Sequence, residues 1–234
     1  MGKRLPQEMA SGIYQLGLGF VNVLLVEDEE GGLWLVDAGV DPGAQRIGGA
    51  IRALGRAPQD LRGVVVTHLH HDHVGGLAAV KKHTGAEVWM GAADAELVRA
   101  GRRGRALEPG PGLTRRVIVR AMGDRMLREH DPVAVEHDVH DGDLLPLGAT
   151  ALLTPGHTAG HIALHFARGG GVLFAGDAAT NFVRLDVGPV YEDVDEGLHS
   201  LRRLAGLEFE TALFAHGRPI EPRADERFRA RFNA

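Results

Sequence analysis

Thr67-His68-Leu69-His70-His71-Asp72-His73-Val74-Gly75-Gly76 follows a short apolar run, Gly63-Val64-Val65-Val66, and leads into an alanine-rich run. Residues 63–66 read as a strand buried on both faces. The alanine-rich run predicts a helix over 74–83. Four imidazoles and a carboxylate therefore crowd into the six positions 68–73, at the end of a buried strand. Such a crowd is costly to bury unless a cation holds it together. His68 and His70 are two apart in an extended segment, so they share one face. Asp72 and His73 follow at the turn into the helix. Imidazoles and carboxylates are the usual nitrogen and oxygen ligands of divalent metals. A histidine-rich surface turn would look the same in isolation, so the reading depends on finding further ligands.

Three other places supply them. Thr154-Pro155-Gly156-His157 presents His157 after a strand, on a Pro-Gly turn. Phe174-Ala175-Gly176-Asp177 presents an aspartate directly after a buried strand, and Phe214-Ala215-His216-Gly217 does the same with a histidine. A buried polar group at each strand end needs a partner. One shared metal centre serves all three.

The ordered set His68-x-His70-x-Asp72-His73, then His157, Asp177 and His216, resembles the metallo-β-lactamase superfamily, and so does Leu35-Val36-Asp37-Ala38-Gly39 near the start. The resemblance covers nearly the whole chain. It implies an α+β fold, an αβ/βα four-layer sandwich of two mixed β-sheets with helices on the outer faces. It implies two divalent metal ions, zinc first, with iron or manganese as alternatives. By residue match, His68, His70 and His157 would hold the first ion. Asp72, His73 and His216 would hold the second, and Asp177 would bridge them. Paired metals ~3.5–4 Å apart can share a hydroxide that is nucleophilic at neutral pH. The implied activity is hydrolysis of an ester, thioester or lactone of a small molecule by that metal-bridging hydroxide. Asp72 would be the catalytic residue that orients the nucleophile or moves its proton. Asp37 would hydrogen-bond a ligand imidazole.

Departures narrow the family. True metallo-β-lactamases place a different residue, often Cys, where Asp177 stands, which counts against β-lactam hydrolysis. Flavodiiron-type members carry Glu at the position of His70. Longer glyoxalase-II-like enzymes append a helical glutathione-binding domain, and the 18 residues after His216 are too few for it. Lactone-cleaving relatives often have Tyr at the position of Thr180. Rival readings are a mononuclear-iron persulfide dioxygenase, a phosphodiesterase or ribonuclease of the same superfamily, and a metal-stabilised non-enzyme.

Bulk properties set outer limits. A chain of 234 residues suits one domain over 1–234. With no cysteine, disulfides and a thiol nucleophile are excluded, and a reducing cytoplasm is the expected setting. The start lacks an apolar stretch typical of a signal peptide. No apolar run approaches the ~18 residues of a membrane span. A formal net charge of −5 argues against charge-driven nucleic-acid binding. The expected partner is a small molecule, with a homodimer possible.

Patterning predicts strands over 13–16, 21–26 and 33–37, then a helix begun by Asp41 as N-cap and carrying Ile47, Ile51 and Leu54. A strand at 86–90 and a helix at 92–100 follow. Residues 101–133 differ, being rich in Arg, Gly and Pro. Nine arginines lie from Arg99 to Arg128 against Glu108 and Asp124, which suggests an insertion that serves as a solvated or subunit-facing surface, a lid for an anionic substrate group, or an RNA-contacting arm. Further strands are expected at 133–135, 149–153, 162–166, 172–175 and 211–215, with a loop over 178–192 and a helix over 194–205. His71 and His161 are read as neighbours rather than ligands, and 137–143 as a solvated loop. Phe20, Phe182 and Tyr191 fall in loops expected near the site. Phe20 and Tyr191 are taken as substrate-contacting candidates.

Overall fold

The computed structural model describes residues 5–111 and 130–233. Its larger sheet contains β1 (Gln7–Ala10), β2 (Ile13–Gly17), β3 (Asn22–Glu27), β4 (Leu33–Val36), β5 (Leu61–Val66), β6 (Glu87–Gly91) and β8 (His137–Val139), in that spatial order. Pairing is antiparallel from β1 to β4 and parallel from β4 to β8. The second sheet has the order β15 (Thr211–Leu213), β11 (Val172–Phe174), β10 (Ile162–Phe166), β9 (Ala149–Leu153). Its β11–β15 pair is parallel and the others antiparallel, so both sheets are mixed.

Alternation along the second sheet decides the layers. Ile162, Leu164, Phe166, Val172, Phe174 and Leu213 face the larger sheet and join its core. Leu152, Ala163, Leu173, Ala212 and Phe214 face the other way. Against that outer face pack α5 (Val194–Ala205) and α6 (Ala224–Phe232), through Leu201, Leu204, Phe228 and Phe232. The larger sheet is covered by α1 (Gln45–Ala53), α3 (Leu77–Thr84) and α4 (Ala92–Arg99), through Ile47, Ile51, Leu77, Val80, Ala95 and Val98. The result is the expected four-layer sandwich, helices–sheet–sheet–helices.

Several local expectations are corrected. The helix expected at 74–83 is two pieces, α2 (His71–Val74) and α3, because the chain turns at Gly75 and Gly76 against Gly39 and Ala38. Asp41 does not cap α1 directly. Ala44 is the cap, and the Asp41 carboxylate accepts from Gly43 N and Arg46 N one turn earlier. Residues 133–135 are not a strand. The edge strand is β8, inside the stretch read as a solvated loop, where His137 stacks on Trp89 at 4.1 Å and Asp138 pairs with Arg99. The loop expected at 178–192 contains a hairpin, β12 (Ala179–Asn181) with β13 (Leu185–Val187). It also contains β14 (Val190–Tyr191), which pairs with β7 (Glu108–Pro109). β1 and α6 had no counterpart in the sequence reading.

Most of the Arg-rich stretch, including Arg115, Arg116, Arg120, Arg125 and Arg128, lies outside the described residues. Its beginning does not: β7 on β14 anchors residues 108–109. Among the described residues, no helix is long and apolar enough to cross a membrane.

Candidate metal centre

The site is built at strand ends of both sheets. Asp37 follows β4 and Thr67-His68 follows β5. His157 precedes β10, Asp177 follows β11 and His216 follows β15. Parallel strands end at the same edge, so residues far apart in sequence arrive together.

All seven expected donors converge. His68 Nε2, His70 Nδ1 and His157 Nε2 lie within 3.1 Å of one another. His216 Nε2 is 3.1 Å from Asp72 Oδ2, and His73 Nε2 is 3.8 Å from the same oxygen. Asp177 lies between the two groups. Its Oδ2 is 3.5 Å from His157 Nε2 and 3.4 Å from His216 Nε2, and its Oδ1 is 3.6 Å from His73 Nε2. Ligand atoms of His68, His70 and His157 form one compact triad, and those of Asp72, His73 and His216 another. His68, His73 and Asp177 form a third, overlapping one.

The rings are oriented from behind. A carbonyl or carboxylate oxygen only accepts, so the ring nitrogen facing it must carry the hydrogen. His157 Nδ1 donates to Val190 O at 2.9 Å, and His216 Nδ1 to Phe20 O at 2.8 Å. His73 Nδ1 donates to Asp37 Oδ2 at 2.8 Å. Thr67 Oγ1 donates to Asp37 and so accepts from His68 Nδ1 at 3.1 Å. Four Nε2 atoms are thereby turned inward. His70 presents Nδ1 instead. The buried atoms His73 Nε2 and Asp177 Oδ1 have no hydrogen-bond partner. Buried polar atoms rarely go unsatisfied, and ring nitrogens turned inward beside carboxylate oxygens are what a divalent ion requires. The residues present fit such an ion.

The family profile described as the metallo-beta-lactamase superfamily matches residues 16–216, which includes every one of these donors. The chain belongs to the metallo-beta-lactamase superfamily. Among curated relatives, a hydroxyacylglutathione hydrolase of Cereibacter sphaeroides is 33% identical over 71% of this chain and 52% of its own length. The probable metallo-hydrolase YflN of Bacillus subtilis is 27% identical over 91% of this chain and 86% of its own. Among solved structures, a metallo-beta-lactamase from Cronobacter sakazakii superposes with a TM-score of 0.69 at 26% identity, covering 91% of this chain and 81% of that one. The chain thus spans about half the length of the Cereibacter hydrolase it resembles.

Charge is divided across this superfamily site. Burial, reinforced by the neighbouring imidazoles, holds His68 well below the usual histidine range. Burial takes His70 down to about 3 and also lowers His157. These three rings are neutral and present lone pairs. Burial opposes charge on His73 too, but Asp37, Asp72 and Asp177 override it and raise the ring to about 9. Asp177 and Asp72 likewise raise His216 well above its ordinary value against burial. Burial favours the neutral forms of the two carboxylates, yet the adjacent His73 and His216 keep both low. Positive charge is favoured between Asp72 and Asp177, and a bound cation would release protons on entry.

The remaining expectations separate. Asp37 stands directly behind His73 and Thr67. His71 is outside the donor groups. His161 is a neighbour: its Nδ1 bonds Thr154 Oγ1 at 2.7 Å, and its Nε2 accepts from Asp177 N at 3.0 Å. Gly176, with φ 54°, makes room for that ring, since a Cβ there would fall 2.6 Å from His161 Nε2. Phe20 and Phe182 flank the His216 ring with centroids at 5.9 and 6.1 Å, and both are more than half exposed. Tyr191 corrects its expected role. It is fully buried, and its hydroxyl accepts from Gly188 N at 2.7 Å, so it packs behind His157 rather than facing a substrate.

Three supporting residues went unread in the sequence. Asn22 donates from its amide to Phe214 O and Gly217 O, bracketing His216. Asp94 and Glu192 bind the turn after His157. The available signal for Asp94 was its place four residues before Val98, on the otherwise apolar inward face of α4.

Proposed function

We propose that this chain is a metal-dependent hydrolase that uses two divalent ions to cleave an ester, thioester or lactone bond of a small molecule. The observation that carries the reading is the inward convergence of five imidazoles and two carboxylates, with His73 Nε2 and Asp177 Oδ1 lacking any hydrogen bond. His68, His70 and His157 would hold one ion, Asp72, His73 and His216 the other, and Asp177 would bridge. When bound, such a pair supplies Lewis acidity toward a carbonyl oxygen and an acidified water. Zinc suits a donor set of imidazole and carboxylate without thiolate.

The chain's own groups do the rest. Asp72 and His216 are the most exposed members of the set, at 9% and 8%, so a substrate approaches from their side. Asp72 is there the carboxylate within reach of an incoming water, and accepts or orients its proton. Phe20 and Phe182 wall the same side and offer apolar surface to the acyl portion of the substrate. The relatives named hydroxyacylglutathione hydrolase support an acyl thioester as the first bond to test.

The test is metal content by mass spectrometry, paired with a panel of thioesters, lactones, phosphodiesters and a β-lactam. Two metals per chain with ester or thioester turnover are expected. Iron at one equivalent with oxygen uptake, or turnover confined to phosphodiesters, would overturn the reading.

A further inference from the structure

Beneath the loops that carry His68, His70 and His157 lies a carboxylate that no motif marks. Asp94, in the first turn of α4, is fully buried. Its Oδ2 accepts from Leu69 N at 2.9 Å and from Thr158 Oγ1 at 2.7 Å. Its Oδ1 accepts from Gly160 N at 2.7 Å. Leu69 lies between His68 and His70, and Thr158 follows His157. One side chain therefore ties together two ligand-bearing loops that meet only in the folded chain.

The approach is close. A side chain at Gly160 would overlap Asp94 N, and one at Gly91 would overlap Gly160 O. Glu192 grips the same turn from another side, accepting from Ala159 N at 2.9 Å and from Arg105 N at 2.7 Å. Between them, Asp94 and Glu192 take a donor from each of residues 158, 159 and 160. A carboxyl group is costly to bury unless its oxygens are hydrogen-bonded, and here both oxygens are partnered. All three donors to Asp94 belong to the two loops of the three-histidine group. The other group is held by different contacts: Asp37 on His73, the Phe20 carbonyl on His216, and Asn22 around residues 214–217.

We propose that Asp94 is a positioning residue dedicated to the three-histidine half of the centre. It sets the spacing of the 68–70 and 157–160 loops so that His68 Nε2, His70 Nδ1 and His157 Nε2 meet. This rests on the metal-holding reading of the site given above. Losing Asp94 spreads these three donors and leaves the Asp72, His73 and His216 group intact.

The test is zinc binding, measured by competition with a chromophoric chelator, in the wild type, Asp94→Asn and Thr158→Val. Melting of the metal-free proteins monitors the fold. Asp94→Asn is expected to weaken one zinc equivalent by about 10–100-fold, the usual effect of removing a group that orients ligands. The second equivalent keeps wild-type affinity. Thr158→Val, which removes one of the three hydrogen bonds, produces a smaller loss in the same equivalent. Unchanged affinity of both equivalents in Asp94→Asn would overturn the proposal. So would equal weakening of both in step with a lowered melting temperature. If Asp94→Asn does not fold, Thr158→Val decides: selective weakening of one equivalent supports the proposal, and no weakening overturns it. A wild type that binds a single zinc refutes the two-metal reading separately. The proposal is then judged on that one equivalent, where a tenfold loss supports it and no loss overturns it.

Discussion

Asp37 Oδ2 lies 2.8 Å from His73 Nδ1, and Asp37 reaches that position with φ 62°, a left-handed conformation that side-chain-bearing residues adopt at a cost. The same carboxylate accepts from Thr67 N and Thr67 Oγ1, and Thr67 Oγ1 in turn orients His68. Local strain is thus accepted at one residue so that two ring tautomers are fixed. Asn tolerates the left-handed region but offers His73 only a neutral acceptor. Asp37→Asn is expected to fold and to bind zinc about 10–100-fold more weakly. Zinc competition on the purified variant measures this, and wild-type affinity would show that Asp37 does not govern His73.

Asp177 Oδ2 lies between His157 and His216, one from each donor group. Asp177→Ala should therefore lose metal and activity together. Metal stoichiometry and turnover on the same sample are the readouts. Full activity with one metal bound would remove the bridging role.

Phe20 and Phe182 stand on either side of His216 with more than half of each side chain exposed. Val183, next to Phe182 in the chain, is 98% exposed. Such apolar surface next to a reactive centre is suited to an apolar portion of a substrate. Phe182→Ala should raise KM for thioesters with apolar acyl groups by roughly tenfold, the scale of one to two kcal/mol of lost burial. Metal content and kcat should stay unchanged. Equal KM values across an acyl-length series in wild type and variant would count against this contact.

Asp94 also gives a pH dependence in the metal-free protein. Burial raises its carboxyl from the ordinary 3.8 to about 7, although Thr158, Gly160 and Leu69 donate to it. A group whose folded pKa is raised contributes stability that is complete below its unfolded value and is lost as pH climbs through the folded value. Wild-type stability relative to Asp94→Asn should therefore fall between about pH 4 and pH 7 and level off above that. Urea melts of both metal-free proteins across this range provide the check. A difference that grows with rising pH would contradict the sign.

The sequence by itself pointed to the candidate donor set and, through the family resemblance it carries, to the layer plan. His68, His70, Asp72 and His73 lie close together in the chain, and His157, Asp177 and His216 each stand beside a glycine after a readable strand, so local pattern was enough. The apolar runs at residues 63–66, 149–153 and 162–166 were likewise local, and they placed the strands. Tertiary structure alone decided what stands behind the ligands. Asp94 meets Leu69 and Gly160, Asn22 meets Phe214 and Gly217, and His157 meets Val190, all across long sequence separations. Hydrogen bonds of this kind leave no periodicity to read. Burial of Tyr191 and exposure of Phe20 were hidden for the same reason. Both are aromatic residues in glycine-rich surroundings, and only the packing of β14 against β7 and α5 turns one inward while the other stays at the mouth of the site.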